Sequence, residues 1–166
     1  TDITGVTALF DNLKTSCVTE LGLAQCRLGP SSLAKLAEYL REATAAVARL
    51  ILNENPLTGG EYDDEFDKDI TGITALCDTL KTSSVTELGL AKCRLGPGSL
   101  GKLAEYVRDA DAAVEAVAIG GNPIGSAGGA TLLETIKTSK LKTIDIGKPL
   151  PLQEPYESDT LDLSDT

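Results

Sequence analysis

Histidine, tryptophan and methionine are absent from the 166 residues, and aromatic side chains make up only 4% of them. Without histidine the commonest general base is missing, and no Ser–His or Cys–His pair can be assembled. There is no Cys-x-x-Cys pair, no other cysteine-rich metal spacing, and no Gly-Lys-Ser/Thr phosphate loop. No apolar run approaches the roughly 18 residues that a membrane span needs, so no membrane insertion is expected. Cations are scarce as well: 15 Lys and Arg face 25 Asp and Glu, for a net charge of −10. Nucleic acid and anionic membrane surfaces both call for clustered Lys and Arg, so neither is an expected partner. The chain therefore reads as a non-enzyme, with no catalytic residue, no metal and no cofactor. Its core has to be built from Leu, Val, Ile and Ala.

What is present is repetition. VTELGLAQCRLG (Val18 to Gly29) returns as VTELGLAKCRLG (Val85 to Gly96), and in looser form as VARLILNENPLT (Val47 to Thr58) and VEAVAIGGNPIG (Val114 to Gly125). Residues 2–47 align with residues 69–114 without a gap, at an offset of 67, with 36 of 46 positions identical. Equivalent apolar positions fall at Leu21, Leu50, Leu88, Val117 and Ile144, in steps of 29, 38, 29 and 27 residues (50−21, 88−50, 117−88, 144−117). The long step carries an insertion at 60–69.

Each unit is long enough for a short strand and a full helix. Leu33, Leu36, Ala37 and Leu40 mark one apolar face at the helical period. Leu100, Leu103, Ala104 and Val107 repeat it, as do Val6, Leu9, Phe10 and Leu13, then Ile73, Leu76, Cys77 and Leu80, and Leu133 with Ile136. Gly-Pro at 29–30 and 96–97 opens two of the helices, where proline costs least. Strands are expected near 19–23, 48–52, 86–90, 115–119 and 142–146, paired in parallel because each crossover passes through a helix. After Ile146, a proline-rich crossover at 147–159 should lead to a sixth strand at Thr160 to Ser164, with Leu161 and Leu163 inward.

These residues resemble leucine-rich repeats of the ribonuclease-inhibitor-like subfamily, over about residues 3 to 147. The frame is L-x-x-L-x-L-x-x-C/N-x-L, with Cys26, Asn55, Cys93 and Asn122 alternating at one position. The resemblance implies an α/β leucine-rich-repeat solenoid, a horseshoe arc with a parallel concave sheet and convex helices. It also implies that the Cys or Asn turns inward and bonds the backbone of adjacent turns, as a structural ladder. Residues 1–166 are read as a single such domain of about five repeats plus a short sixth strand, and as a fragment of a longer array.

Four cysteines without a disulfide framework read as buried free thiols in a reducing, intracellular compartment, the cytoplasm. The insertion GEYDDEFDKD (60–69) reads as a solvated acidic loop. A partner contact, or a hard cation on Asp63, Glu65, Asp67 and Asp69, are the other readings. Tyr62 and Phe66 would anchor the loop to its own repeat, and Tyr39 and Tyr106 would pack between units.

Arrays of this family bind proteins, and the outward strand positions are the candidate surface: Glu20, Gln25, Arg49, Ile51, Glu54, Glu87 and Lys92. Many positions between them are Gly or Ala. A surface so bare either admits a close partner or is plain scaffold. The expected function is a non-enzymatic protein–protein interaction module whose partner is another protein. The alternatives are a structural subunit of a stable assembly and a regulatory element of a GTPase or other enzyme, the latter by analogy of fold alone.

Overall fold

Helix and strand alternate along the chain without exception up to residue 145. The computed structural model describes residues 3–44, 46–60, 62, 65–109, 111–147 and 149–151. In order they form α1 (Thr4–Leu13), β1 (Glu20–Gly22), α2 (Pro30–Glu42), β2 (Arg49–Ile51), α3 (Thr71–Leu80), β3 (Glu87–Gly89), α4 (Pro97–Arg108), β4 (Ala116–Ala118), α5 (Gly125–Thr138), β5 (Thr143–Asp145) and β6 (Pro149–Pro151).

The sheet runs β1-β2-β3-β4-β5-β6, and the first five strands are parallel. The expected leucine positions form one register row: Leu21, Leu50, Leu88, Val117 and Ile144 pair in sequence. All five are buried, together with Leu23, Leu52, Leu90 and Ile119. They meet the helix stripes Leu33, Leu36 and Ala37, then Ile73, Leu76, Cys77 and Leu80, then Leu100, Leu103, Ala104 and Val107. One sheet face is thus sealed by helices, and the other carries Glu20, Arg49 and their row into solvent. Tyr39 and Tyr106 are both fully buried, and Tyr39 stacks on Phe10 of α1 with ring centroids 5.3 Å apart, which is packing between units.

α1 departs from its copies. Its expected stripe is only partly covered: Phe10 is buried, Val6 and Leu13 are half-buried, and Leu9 is 43% exposed. The physical reason is position, because β1 and α1 have no neighbour on their outer side among the described residues.

The other end departs in direction. Pro149–Pro151 was expected within a crossover, yet it pairs antiparallel with β5, with Thr143 opposite Pro151 and Asp145 opposite Pro149. Two prolines suit an edge strand, where missing N–H groups are tolerated. The proposed strand at Thr160 to Ser164, with the crossover beyond Pro151, lies outside the described residues, as does the side chain of Leu133.

Strands of three residues hold few hydrogen bonds, so the turns that follow them need other partners. Asn55 is buried, and its Oδ1 accepts the Leu28 amide at 2.9 Å. Its Nδ2 donates to Leu23 O at 2.8 Å and to Leu52 O at 2.7 Å. Asn122 repeats this one pair of units later, accepting from Cys93 N at 2.9 Å and Leu95 N at 3.1 Å and donating to Leu90 O and Ile119 O. Cys93 is buried and its thiol reaches Leu52 O of the preceding turn at 3.2 Å. Cys26 breaks the expectation: it is exposed, and its thiol bonds only Ala24 O of its own turn, at 3.3 Å. Among the described residues no earlier turn lies within reach of it.

Asn55→Ala strands several buried backbone groups at once and should lower unfolding stability by about 2–4 kcal/mol. Cys26→Ala should stay within about 0.5 kcal/mol of the parent. Urea unfolding midpoints compare the two.

Candidate protein-binding face

The candidate residues fall in rows across the open sheet face. Glu20, Arg49 and Glu87 occupy one register on β1, β2 and β3. The Arg49 guanidinium lies between the two carboxylates, with Nε 3.0 Å from Glu87 and Nη1 3.9 Å from Glu20. The next outward row is Gly22, Ile51, Gly89, Ala118 and Asp145. Just past the strand ends lie Gln25, Glu54 and Lys92. Gln25 Nε2 donates to Glu54 Oε2 at 2.8 Å, and Lys92 Nζ lies 3.8 Å from Glu54 Oε1. All seven candidates therefore share one face, and six form two mutually paired polar chains.

These pairs are solvent-exposed, so each contributes little to stability, on the order of 0–1 kcal/mol. What they do is alternate opposite charges along the face at the spacing of the strands. The backbone of the second chain is itself unusual: Gln25, Glu54 and Lys92 have φ of 58°, 59° and 53°. The equivalent position in the fourth turn is Gly121, with φ 70°. A non-glycine residue in this left-handed region costs about 1–2 kcal/mol. Three long polar side chains are kept where glycine would be free of strain.

The face is less bare than its Gly and Ala content implies. A Cβ on Gly89 would come within 2.9 Å of Ile51 Cδ1, so Ile51 lies flat across the next strand and is half-buried. A Cβ on Gly121 would come within 2.7 Å of Lys92 Cγ. The small residues leave room for the stems of larger side chains from the preceding turn. Asn53, whose role the sequence did not suggest, accepts the Ala91 amide at 2.9 Å through Oδ1 and stiffens the same face. Glu115 and Lys142 pair at 2.7 Å one residue before β4 and β5, outside the Glu20–Arg49–Glu87 row.

The acidic insertion is tied down by one of its own carboxylates. Asp67 accepts the amides of Gly96 at 3.0 Å, Gly98 at 2.7 Å and Ser99 at 3.2 Å, and the Ser99 hydroxyl. It caps the N-terminus of α4 from about thirty residues away. Local sequence does not reveal it: Gly96-Pro97 opens a helix without the usual Ser, Thr, Asp or Asn cap, but so does Gly29-Pro30. Thr58 Oγ1 donates to Arg94 O at 2.7 Å, and Arg94 Nη1 donates to Gly60 O at 2.8 Å, which fastens the other limb of the loop. Asp69 accepts the Thr71 amide at 2.9 Å, and the Thr71 bonds hold its carboxyl below the ordinary range. The cation reading of Asp63, Glu65, Asp67 and Asp69 finds Asp67 and Asp69 spent on helix starts, and Asp63 outside the described residues. Among the described residues no cluster of three metal-ligating side chains occurs. Tyr62 and Phe66 are both exposed, so the expected aromatic anchoring of the loop is not seen; only the Phe66 Cβ lies near Gly96.

The thiols divide by position. Cys17 and Cys26 are exposed, and Cys77 and Cys93 are buried. Burial pushes Cys77 up to about 12 and Cys93 up to about 11, so neither forms a thiolate near neutral pH. The expectation of four buried thiols holds for the inner pair only.

No known protein-family profile matches this chain, and no curated protein matches it in sequence. Solved structures do match in fold. One of them, leiomodin-1 actin-binding site 2, superposes with a TM-score of 0.64 at 15% identity, covering 87% of this chain and 79% of its own. The likeness is one of fold: an α/β array of alternating helices and parallel strands.

Two outcomes follow from this geometry. Asp67→Ala should lower stability by about 1–2 kcal/mol and speed hydrogen exchange at the Gly98 and Ser99 amides. Alkylation of the native protein near pH 8, followed by mass spectrometry, should modify Cys17 and Cys26 while leaving Cys77 and Cys93 unmodified until denaturant is added.

Proposed function

We propose that the chain is a leucine-rich-repeat solenoid of the ribonuclease-inhibitor-like kind, curved as a horseshoe arc, and that it serves as a non-enzymatic module recognising another protein. Helices about 10 Å wide alternate with strands about 4.8 Å apart, and this mismatch bends such a stack with its sheet inward. The observation that carries the functional reading is the pair of ordered polar chains on the open face, Glu20–Arg49–Glu87 and Gln25–Glu54–Lys92, with Ile51 between them. Opposite charges alternating at a set register give a patterned surface, which favours specific over non-specific partners.

The similar leiomodin-1 segment is named an actin-binding site, so a protein ligand for this fold is a consistent choice and actin is the first candidate to try. The exposed thiols Cys17 and Cys26 suit a reducing compartment, and we place the module in the cytoplasm.

The test is a pull-down analysed by mass spectrometry, with actin co-sedimentation beside it. Arg49→Glu should weaken partner capture by about tenfold or more, with a stability change within about 1 kcal/mol. Lys92→Gly should also weaken capture while stability holds or rises, because the left-handed strain is relieved. A partner set unchanged by both substitutions sinks the reading.

A further inference from the structure

Of the six aromatic residues in the chain, two stand in the ten-residue insertion 60–69, at Tyr62 and Phe66. Phe10, Tyr39 and Tyr106 are buried among the helices, where an aliphatic core has use for large side chains. Tyr62 is 66% exposed and Phe66 is 37% exposed. Apart from Leu9 on α1, they are the exposed large apolar side chains among the described residues.

The insertion is fastened on both sides of these rings. Asp67 holds the Gly96, Gly98 and Ser99 amides at the start of α4. Gly98 stands where the first copy has Ser31, and a Cβ there would come within 3.0 Å of the Asp67 carboxylate. The second copy thus lacks the side chain that would crowd the loop. On the other limb, Arg94 donates to Gly60 O, and Thr58 O accepts the Asp69 amide at 2.9 Å. Between the limbs, the Glu65 amide donates to Tyr62 O at 3.2 Å, and the Tyr62 amide donates to Glu65 Oε2 at 3.4 Å. Tyr62 and Phe66 therefore leave from the two sides of a closed turn. None of these fastenings uses either ring. Capping of α4 accounts for Asp67 and leaves the aromatic pair unexplained.

The charge around the rings narrows what can cover them. The insertion holds six acids and one lysine, a net charge of −5 (1−6), and Tyr62 has Glu61 and Asp63 as its sequence neighbours. Lys68 is paired with Glu65. An anionic partner is repelled here, and an apolar one would have to strip water from carboxylates. A cation is favoured twice, by the negative faces of the rings and by the acids beside them. Arginine suits this better than lysine, because its guanidinium is flat, weakly hydrated and stacks on an aromatic face.

We propose that Tyr62 and Phe66 form a docking surface for an arginine-bearing segment of a partner protein. The rings take the guanidinium planes, and the carboxylates of the insertion supply the counter-charge. The surface lies on the rim where strands end and helices begin, over the start of α4. It stands independently of what the open strand face binds.

The test uses the whole chain and a fluorescein-labelled Gly-Ser peptide with arginine at alternate positions, followed by fluorescence anisotropy. The peptide should bind, with an affinity that falls as salt is raised past about 0.15 M. Tyr62→Ala and Phe66→Ala together should weaken binding by about fivefold or more and leave the melting temperature unchanged. Tyr62→Phe should keep the parental affinity, because the ring and not the hydroxyl makes the contact. Lysine in place of arginine should weaken binding, and citrulline should abolish it. A chain of net charge −10 attracts any polycation diffusely, so binding that the double substitution leaves unchanged overturns the proposal. Equal binding of the lysine or citrulline peptide does the same. So does a melting temperature lowered by the double substitution, which would show that the rings serve the loop itself.

Discussion

Backbone amides and carbonyls that leave a three-residue strand and turn inward have no sheet left to satisfy them, and water cannot reach them. Everything in this array depends on meeting that demand. Asn55 and Asn122 do so with a side chain that accepts from one turn while donating to two carbonyls. Cys93 does so more weakly through a thiol. The apolar rows can then stack, because the polar ends of every turn are closed. The backbone ladder then sets the spacing of the strands and, through it, the spacing of the polar side chains on the other face.

Those outer side chains inherit their order from the inner ones. Leu21, Leu50 and Leu88 are held in one register, so Glu20, Arg49 and Glu87 must be as well. Where the chain leaves the strand it passes through left-handed backbone at Gln25, Glu54 and Lys92, and the same turn geometry recurs at Gly121. The first three turns carry long polar groups at this point, and the fourth carries none. The face is therefore graded along its length: charged and ordered over β1 to β3, plain over β4.

Much of this was legible in the sequence because the governing contacts repeat. The stripe Ile73, Leu76, Cys77 and Leu80 could be read as a helix face without knowing what it touches, and the row from Leu21 to Ile144 followed from spacing alone. What could not be read depends on where a unit sits. Cys26 and Cys93 share a sequence context, yet one is exposed and the other buried, since only one has a turn before it. Phe10 and Leu9 show the same edge effect within a single helix. Asp67 was hidden for another reason: its role is set by a fold-back of about thirty residues, which no local pattern records. The Gly and Ala positions looked bare because the side chains that cover them, Ile51 and Lys92, belong to the preceding turn. The direction of β6 was missed because proline content says that a segment is irregular, not which way it runs.

The antiparallel β6 has one more implication. Pro149 and Pro151 bring no N–H to that strand, so among the described residues the sheet ends on a border poor in donors. The opposite border, at β1, keeps its donors and acceptors. A parallel stack with two equivalent borders can polymerise, each molecule templating the next into a filament. Here the two described borders differ in strand direction and in donors, so neither presents the edge that the other pairs with.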